Sequence, residues 1–283
     1  MRQQQRDILN SPKISVITAT YNSVHTLEST IQSVIAQHYP NLEYIIVDGG
    51  STDGTIDIIR KYEQYITKWV SEKDEGLYDA MNKGIALSTG EWIAFLNSDD
   101  VYVNSPLQTV ANTAVEKPHV DVVYANAMME SDVRPSYIYK SKYPISKNDF
   151  WRTPIIHPSM FTKRAALEKV GYFSTNYRIG ADYELVLRLF LAKSTFYYYD
   201  AVWVSMRGGG LSERKWAKGM YEILCILHHK RRLNAFILFM LSWCFIKTQC
   251  TMRLEKYPVL RANLQFYRRI CRKKYRINET NPK

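Results

Sequence analysis

Four short apolar runs alternate with amphipathic stretches through the first hundred residues. Ile14–Ala19 (ISVITA), Leu42–Val47 (LEYIIV), Thr67–Ser71 (TKWVS) and Glu91–Leu96 (EWIAFL) are too short for helices and rich in β-branched or aromatic residues, which predicts buried strands. Between them, Leu27, Ile31, Val34 and Ile35 fall on one helical face behind a capping Thr26 and ahead of Pro40. Ile56, Ile59 and Ile66 give a second stripe, and Tyr78–Leu87 a third helix closed by Gly90. Strand–helix alternation with short connections predicts βαβ units, a parallel sheet and right-handed crossovers. The second half is less regular. Asp121–Ala125 and Thr195–Val204 read as strands, Pro135–Tyr143 as extended, Lys163–Val170 and Ala181–Ala192 as helices, and Gly208–Gly210 as a hinge.

Ligands of such sheets bind beyond the carboxyl ends of the strands. Four polar clusters fall there: Thr18, Thr20, Tyr21 and Asn22 after the first strand; Asp48-Gly49-Gly50-Ser51-Thr52-Asp53-Gly54 after the second; Asp74-Glu75-Gly76 after the third; and Asn97-Ser98-Asp99-Asp100 after the fourth. One such cluster is an ordinary turn, whereas four on one sheet edge describe a site. Adjacent carboxylates repel unless a cation or strong donors lie between them. Asp99 and Asp100 therefore read either as a solvated turn leading into Ser105-Pro106 or as oxygen ligands for Mg²⁺ or Mn²⁺ bridging to phosphates. Asp48 reads as turn chemistry or as an acceptor for a nucleobase or ribose, and Asp53 as a helix cap ahead of Gly54-Thr55. GxGxxG and GxxxxGK[ST] are both missing, which disfavours the dinucleotide-binding and P-loop routes to phosphate.

Charge changes the picture only at one end. Residues 214–283 hold 17 of the 38 Lys and Arg and 3 of the 27 Asp and Glu, leaving the rest of the chain at a net −3. The basic residues lie away from the sheet-edge clusters, which argues against nucleic acid as the partner. Ala235–Ile246 (AFILFMLSWCFI) is apolar nearly all round but shorter than the ~20 residues of a bilayer span. With Arg231, Arg232, Lys247 and the run from Arg268 to Arg276 around it, residues 231–276 suit either an anionic membrane surface or packing on the catalytic domain. The four cysteines form no zinc spacing, so buried reduced thiols are expected. The opening MRQQQRDILN lacks an apolar h-region, and the expected location is cytoplasmic, peripheral on the inner face of the membrane.

These residues closely resemble the family-2 glycosyltransferases of the GT-A fold. ISVITATYN at 14–22, VDGGSTDGT at 47–55, YDAMNKG at 78–84, TGE at 89–91 and FLNSDD at 95–100 carry the likeness, which extends over roughly residues 12–213. The resemblance implies an α/β GT-A fold with a mostly parallel central sheet flanked by helices. The chain is expected to divide into a disordered lead at 1–12, a catalytic domain at 13–213 and a helical extension at 214–283. The resemblance implies transfer of a sugar, with a UDP-sugar favoured, to an acceptor hydroxyl with inversion, and a lipid-linked glycan acceptor for cell-surface polysaccharide. Thr18, Tyr21 and Asp48 match base and ribose positions, and Thr20, Asn22, Asp79, Lys83 and Ser98 complete the expected donor site. Asp99, with Asp100 beside it, matches the divalent-cation position. Asp182 in Gly180-Ala181-Asp182-Tyr183-Glu184 matches the catalytic base, with Glu184 as runner-up. Gly209 and Ser212 match a loop near the diphosphate, and His157 is a candidate contact for acceptor or diphosphate. Trp151 and Trp203 are candidates for stacking on sugar or for core packing. The chain departs from the family pattern at Gly49 and Asn97, where Asp is usual, at Ala181, where Glu is usual, and at Met81, where Arg is common. A sugar nucleotidyltransferase is a competing reading, disfavoured because TATYNSVH after the first strand has no Lys or Arg. A non-catalytic sugar-nucleotide or glycan-binding module is another.

Overall fold

The computed structural model of the protein describes residues 11–130, 135–210 and 214–254. Its elements run β1 (Ile14–Thr20), α1 (Leu27–Ile35), β2 (Leu42–Asp48), α2 (Thr55–Lys61), β3 (Lys68–Ser71), α3 (Leu77–Leu87), β4 (Trp92–Phe95), β5 (Asp100–Tyr102), α4 (Pro106–Glu116), β6 (Val122–Glu130), β7 (Tyr137–Tyr139), β8 (Met160–Lys163), α5 (Arg164–Val170), α6 (Ala181–Leu191), β9 (Phe196–Arg207), α7 (Trp216–His229) and α8 (Ala235–Leu254). Three elements have no counterpart in the sequence reading: β5, α4 and β8. Ile66 leaves the stripe assigned to it, because α2 ends at Lys61 and Ile66 enters the core from the turn ahead of β3.

The strands form one sheet in the order β3-β2-β1-β4-β8-β6-β9-β5, with β7 on the edge of β6. Its first four strands are parallel, as the apolar runs predict. β8 then joins antiparallel to both β4 and β6, β9 runs parallel to β6, and β5 returns antiparallel on β9. The sheet is thus parallel in the half that carries the strand-end clusters and mixed beyond it.

Both faces of the parallel half are covered, which is why its strands read as continuous apolar runs. Ile14 and Val16 of β1, Tyr44 and Ile46 of β2, and Trp92 and Ala94 of β4 share a buried cluster with Leu27, Ile31 and Val34 of α1 and Leu107 and Val110 of α4. Each such aliphatic side chain contributes roughly 1.5–3 kcal/mol of burial. On the other face α3 lies so close that a β-carbon at Gly84 would collide with Ile17.

Register sets the site. Thr20, Asp48 and Ser71 are aligned across β1, β2 and β3 at their carboxyl ends. β1 has β2 on one side and β4 on the other, so the order of connection reverses between β1 and β4. Such a switch point opens a crevice at the strand tips.

The chain divides into two compact units at Arg232/Leu233. The first contains the sheet, its helices and α7. In the second, α8 exposes Phe236, Leu238, Phe239, Trp243, Phe245 and Ile246. Among the described residues no helix is long and apolar enough to cross a membrane.

Candidate active site

Hydrogen bonds join the loops beyond β1, β2 and β4. The Asn22 amide donates to Ser51 Oγ at 2.7 Å, the Thr52 amide donates to Asn22 Oδ1 at 3.0 Å, and the hydroxyls of Ser23 and Ser98 are 2.8 Å apart. Asp53 accepts from the Val24 amide and from the amide and hydroxyl of Thr55, so it caps α2 from one residue before the Gly54 N-cap position. Thr26 takes the N-cap position of α1 without a side-chain cap bond. The loop beyond β3 closes the ring at Gly49. A β-carbon there would lie 2.5 Å from Asp74 Oδ2 and 3.3 Å from the Tyr21 ring. This explains the departure at Gly49, since an Asp in its place would drive a second carboxylate into Asp74.

The tip of β4 carries the residue that faces charge. Asp99 is half-buried. Burial raises its carboxyl above the usual carboxylate range, while its own backbone amide and the charges of Arg207 and Arg214 pull the other way. Arg207 ends β9, and Arg214 is tied back by its Nε to the Gly209 carbonyl at 2.6 Å. Thr20 Oγ1, at the tip of β1, is buried without a hydrogen-bond partner among the described residues.

Asp182 opens α6. Its Oδ1 accepts the Tyr183 amide at 2.7 Å and lies 3.2 Å from the Tyr78 hydroxyl. That hydroxyl also reaches the Ile179 carbonyl at 2.5 Å. Burial, then the charge of Asp182, keeps Tyr78 protonated and therefore a donor. Aromatic rings connect this corner to β4: Tyr78 stacks on Phe173, and Phe173 meets Phe95 and His157 edge-on. His157 lies flat on Phe95, 5.3 Å between centroids, with Nε2 unpartnered among the described residues. Burial lowers its pKa against the opposing pull of Asp182, so the ring is neutral at pH 7.

Several expected site residues have other work. Thr18 is fully buried and pairs with the Tyr44 hydroxyl at 3.2 Å inside the α1–α4 face, so it is a core residue. The Asp48 carboxylate is also fully buried. It accepts the Gly50 and Ser51 amides and the Ser51 and Ser71 hydroxyls, which gives it to its own loop. Asp100 is 2% exposed, opens β5 and accepts from Asn97 Nδ2 at 2.9 Å. Burial and then the charge of Asp99 push it up to about 8. Glu184 is 4% exposed and ion-paired with Arg188 at 2.6 Å and Lys230 at 3.0 Å, which removes it as a base. Lys83 spends its charge on Glu72 and Asp79, and Asp79 also accepts the Glu75 amide. Trp203 is core, packed on Phe161 and Tyr199. Gly209 is exposed with φ 90°, and Ser212 lies outside the described residues. Tyr21 is 62% exposed, its ring free to meet a planar ligand.

Among the described residues, no three of His, Cys, Asp and Glu form a group able to hold an ion alone. Asp99 fits a cation as one carboxylate of a shared shell, because Mg²⁺-type ions take one or two carboxylates and complete their coordination with phosphate and water. Residues missed from the sequence are Tyr78, Arg207, Arg214 and Glu222. Tyr78 lay inside a quoted motif, and Glu222 is one of the three acids in the basic end.

Comparison with known proteins agrees with this fold. A "PGL/p-HBAD biosynthesis glycosyltransferase" of Mycobacterium bovis (strain BCG / Pasteur 1173P2) is 32% identical over 208 residues, 71% of this chain and 80% of the relative. The structure of S. aureus TarS 1–349 in complex with UDP superposes with a TM-score of 0.61 at 21% identity, over 76% of this chain and 64% of that one. The mannosyltransferase PcManGT from Pyrobaculum calidifontis, in complex with GDP-Man and Mn²⁺, gives 0.57 at 20% identity over 94% and 90%. The profile of glycosyl transferase family 2 matches residues 15–171, and with the relative's identity over most of its length this shows that the chain belongs to that family.

Proposed function

We propose that this chain transfers a sugar, with inversion, from a nucleoside-diphosphate sugar to the hydroxyl of a lipid-linked glycan acceptor, with Asp99 on the donor side and Asp182 as general base. The observation that carries the reading is the half-buried Asp99 beside Arg207 and Arg214 at the β1/β4 switch point. The named ligands of TarS and of the Pyrobaculum mannosyltransferase support a nucleotide donor.

As the bond from sugar to diphosphate breaks, negative charge grows on the leaving group. Arg207 and Arg214, whose charges act on Asp99, would stabilise it. A divalent cation held by Asp99 would supply Lewis-acid charge at the same place. Tyr21 offers an exposed ring for the base. Asp182 takes the acceptor hydroxyl's proton. It lies in the first turn of α6, and the Tyr78 hydrogen bond fixes its orientation. A single base and direct attack imply inversion.

The exposed apolar side chains of α8, with Arg231 and Arg232 just before it, support attachment to an anionic membrane surface, where a lipid-linked acceptor would be met. On this reading the protein works at the inner face of the cell membrane, in surface-polysaccharide assembly.

The test is turnover of a panel of nucleotide sugars with Mg²⁺ or Mn²⁺ and a lipid extract as acceptor. Asp182→Asn is expected to lower kcat by about 10²–10⁴-fold with donor KM within about threefold. If no nucleotide sugar were bound or turned over with either ion, the assignment would fail.

A further inference from the structure

Glu222 lies on α7, beyond the segment matched by the family profile and beyond the boundary expected at residue 213. It is 6% exposed. Its Oε1 accepts the Arg178 amide at 3.2 Å, and its Oε2 accepts the amides of Ile179 and Gly180, both at 2.9 Å. These are the three residues before α6, whose N-cap residue, Gly180, has no side chain to cap with. A buried carboxylate with three backbone donors is a clamp on that segment.

Ile179 is held from two further sides. Its carbonyl accepts the Tyr78 hydroxyl, the same group that reaches Asp182. Its side chain fits against Gly219 of α7, where a β-carbon would come within 3.3 Å of Ile179 Cγ2. A shift of the 178–180 segment would therefore move Asp182 and its Tyr78 contact together.

We propose that Glu222 is a positioning residue for transfer: it fixes the 178–180 segment so that Asp182 and Tyr78 meet the acceptor in register. The inference rests on the reading of Asp182 as base. Misplacing a reacting group by about 1 Å costs on the order of 10²-fold in rate, so the clamp is expected in kcat and not in donor affinity.

The experiment compares full-length wild type, Glu222→Gln, Glu222→Ala and Asp182→Asn. The readouts are kcat, donor KM, melting temperature and amide hydrogen exchange at 178–180. Glu222→Gln keeps an acceptor oxygen and is expected to lose about tenfold in kcat; Glu222→Ala is expected to lose about 100-fold. Donor KM should stay within about twofold, and the 178–180 amides should exchange at least about tenfold faster. If Glu222→Ala fails to fold, the Gln variant decides. Wild-type kcat, unchanged exchange, or a kcat loss explained entirely by the unfolded fraction would overturn the inference. Full activity in Asp182→Asn would instead defeat the base assignment, and exchange at 178–180 would still judge the clamp.

Discussion

Asp48 separates a loop-building carboxylate from a donor-contacting one. Replacing it with Ala leaves the Ser51 amide and the Ser51 hydroxyl without their charged acceptor in a buried place, while the exposed Gly50 amide and the half-buried Ser71 hydroxyl can turn to water. Hydrogen bonds to charged groups are worth about 1.5–3 kcal/mol each, so two buried losses cost roughly 3–6 kcal/mol. For a domain of this size 1 kcal/mol moves the melting temperature by about 2–4 °C, so a fall of about 6–24 °C is expected. Asp48→Asn keeps one acceptor oxygen and should fall about halfway between. The assay is differential scanning calorimetry of both variants with no nucleotide present. A melting temperature for Asp48→Ala within about 2 °C of wild type would refute the reasoning and return Asp48 to direct donor contact.

Two further outcomes follow from the buried acids. Burial alone would raise Glu43, but hydrogen bonds from the Ser15 hydroxyl and the Thr89 amide and hydroxyl, with the Lys13 charge, bring it down to about 2. A depressed folded pKa stabilises above the unfolded value, so wild type should exceed Glu43→Gln by about 3 kcal/mol at pH 7. In pH-dependent urea melts that gap should close as pH falls from about 4.5 to about 2; a gap constant through that window would contradict it. Asp100 has the opposite sign: its folded pKa of about 8 means the native state holds a proton the unfolded chain releases, so its contribution is lost as pH rises from about 4 to about 8. Asp100→Asn should be more stable than wild type at pH 8 and keep its transfer rate within about threefold, whereas loss of divalent-ion dependence would make Asp100 a ligand after all.

The parallel half of the fold was legible because both faces of its strands are covered and their apolar runs are unbroken. β5 and β8, of three and four residues, leave no period to detect, and Ile66 imitates a helical stripe because its spacing from Ile59 fits two turns. The strand-end clusters were legible as a sheet edge, but the direction of each side chain depends on distant partners. Thr18 is claimed by Tyr44, and Glu184 by Lys230 on the segment after α7, neither of which local spacing reveals. Tyr78, a residue within a recognised motif, acquired a role only when α6 was seen beside α3. Glu222 offered one weak signal, a lone acid in an otherwise basic and apolar helix.

The central claim is that the tips of β1, β2 and β4 grip a nucleoside diphosphate through Asp99 and a shared cation. Calorimetric titration of UDP and GDP into wild type and Asp99→Asn, with and without Mn²⁺, tests it most directly. At least one nucleotide should bind wild type more tightly with Mn²⁺, and Asp99→Asn should weaken that binding at least about tenfold and abolish the effect of the ion. Equal affinity in wild type and variant, indifferent to Mn²⁺, would contradict the account.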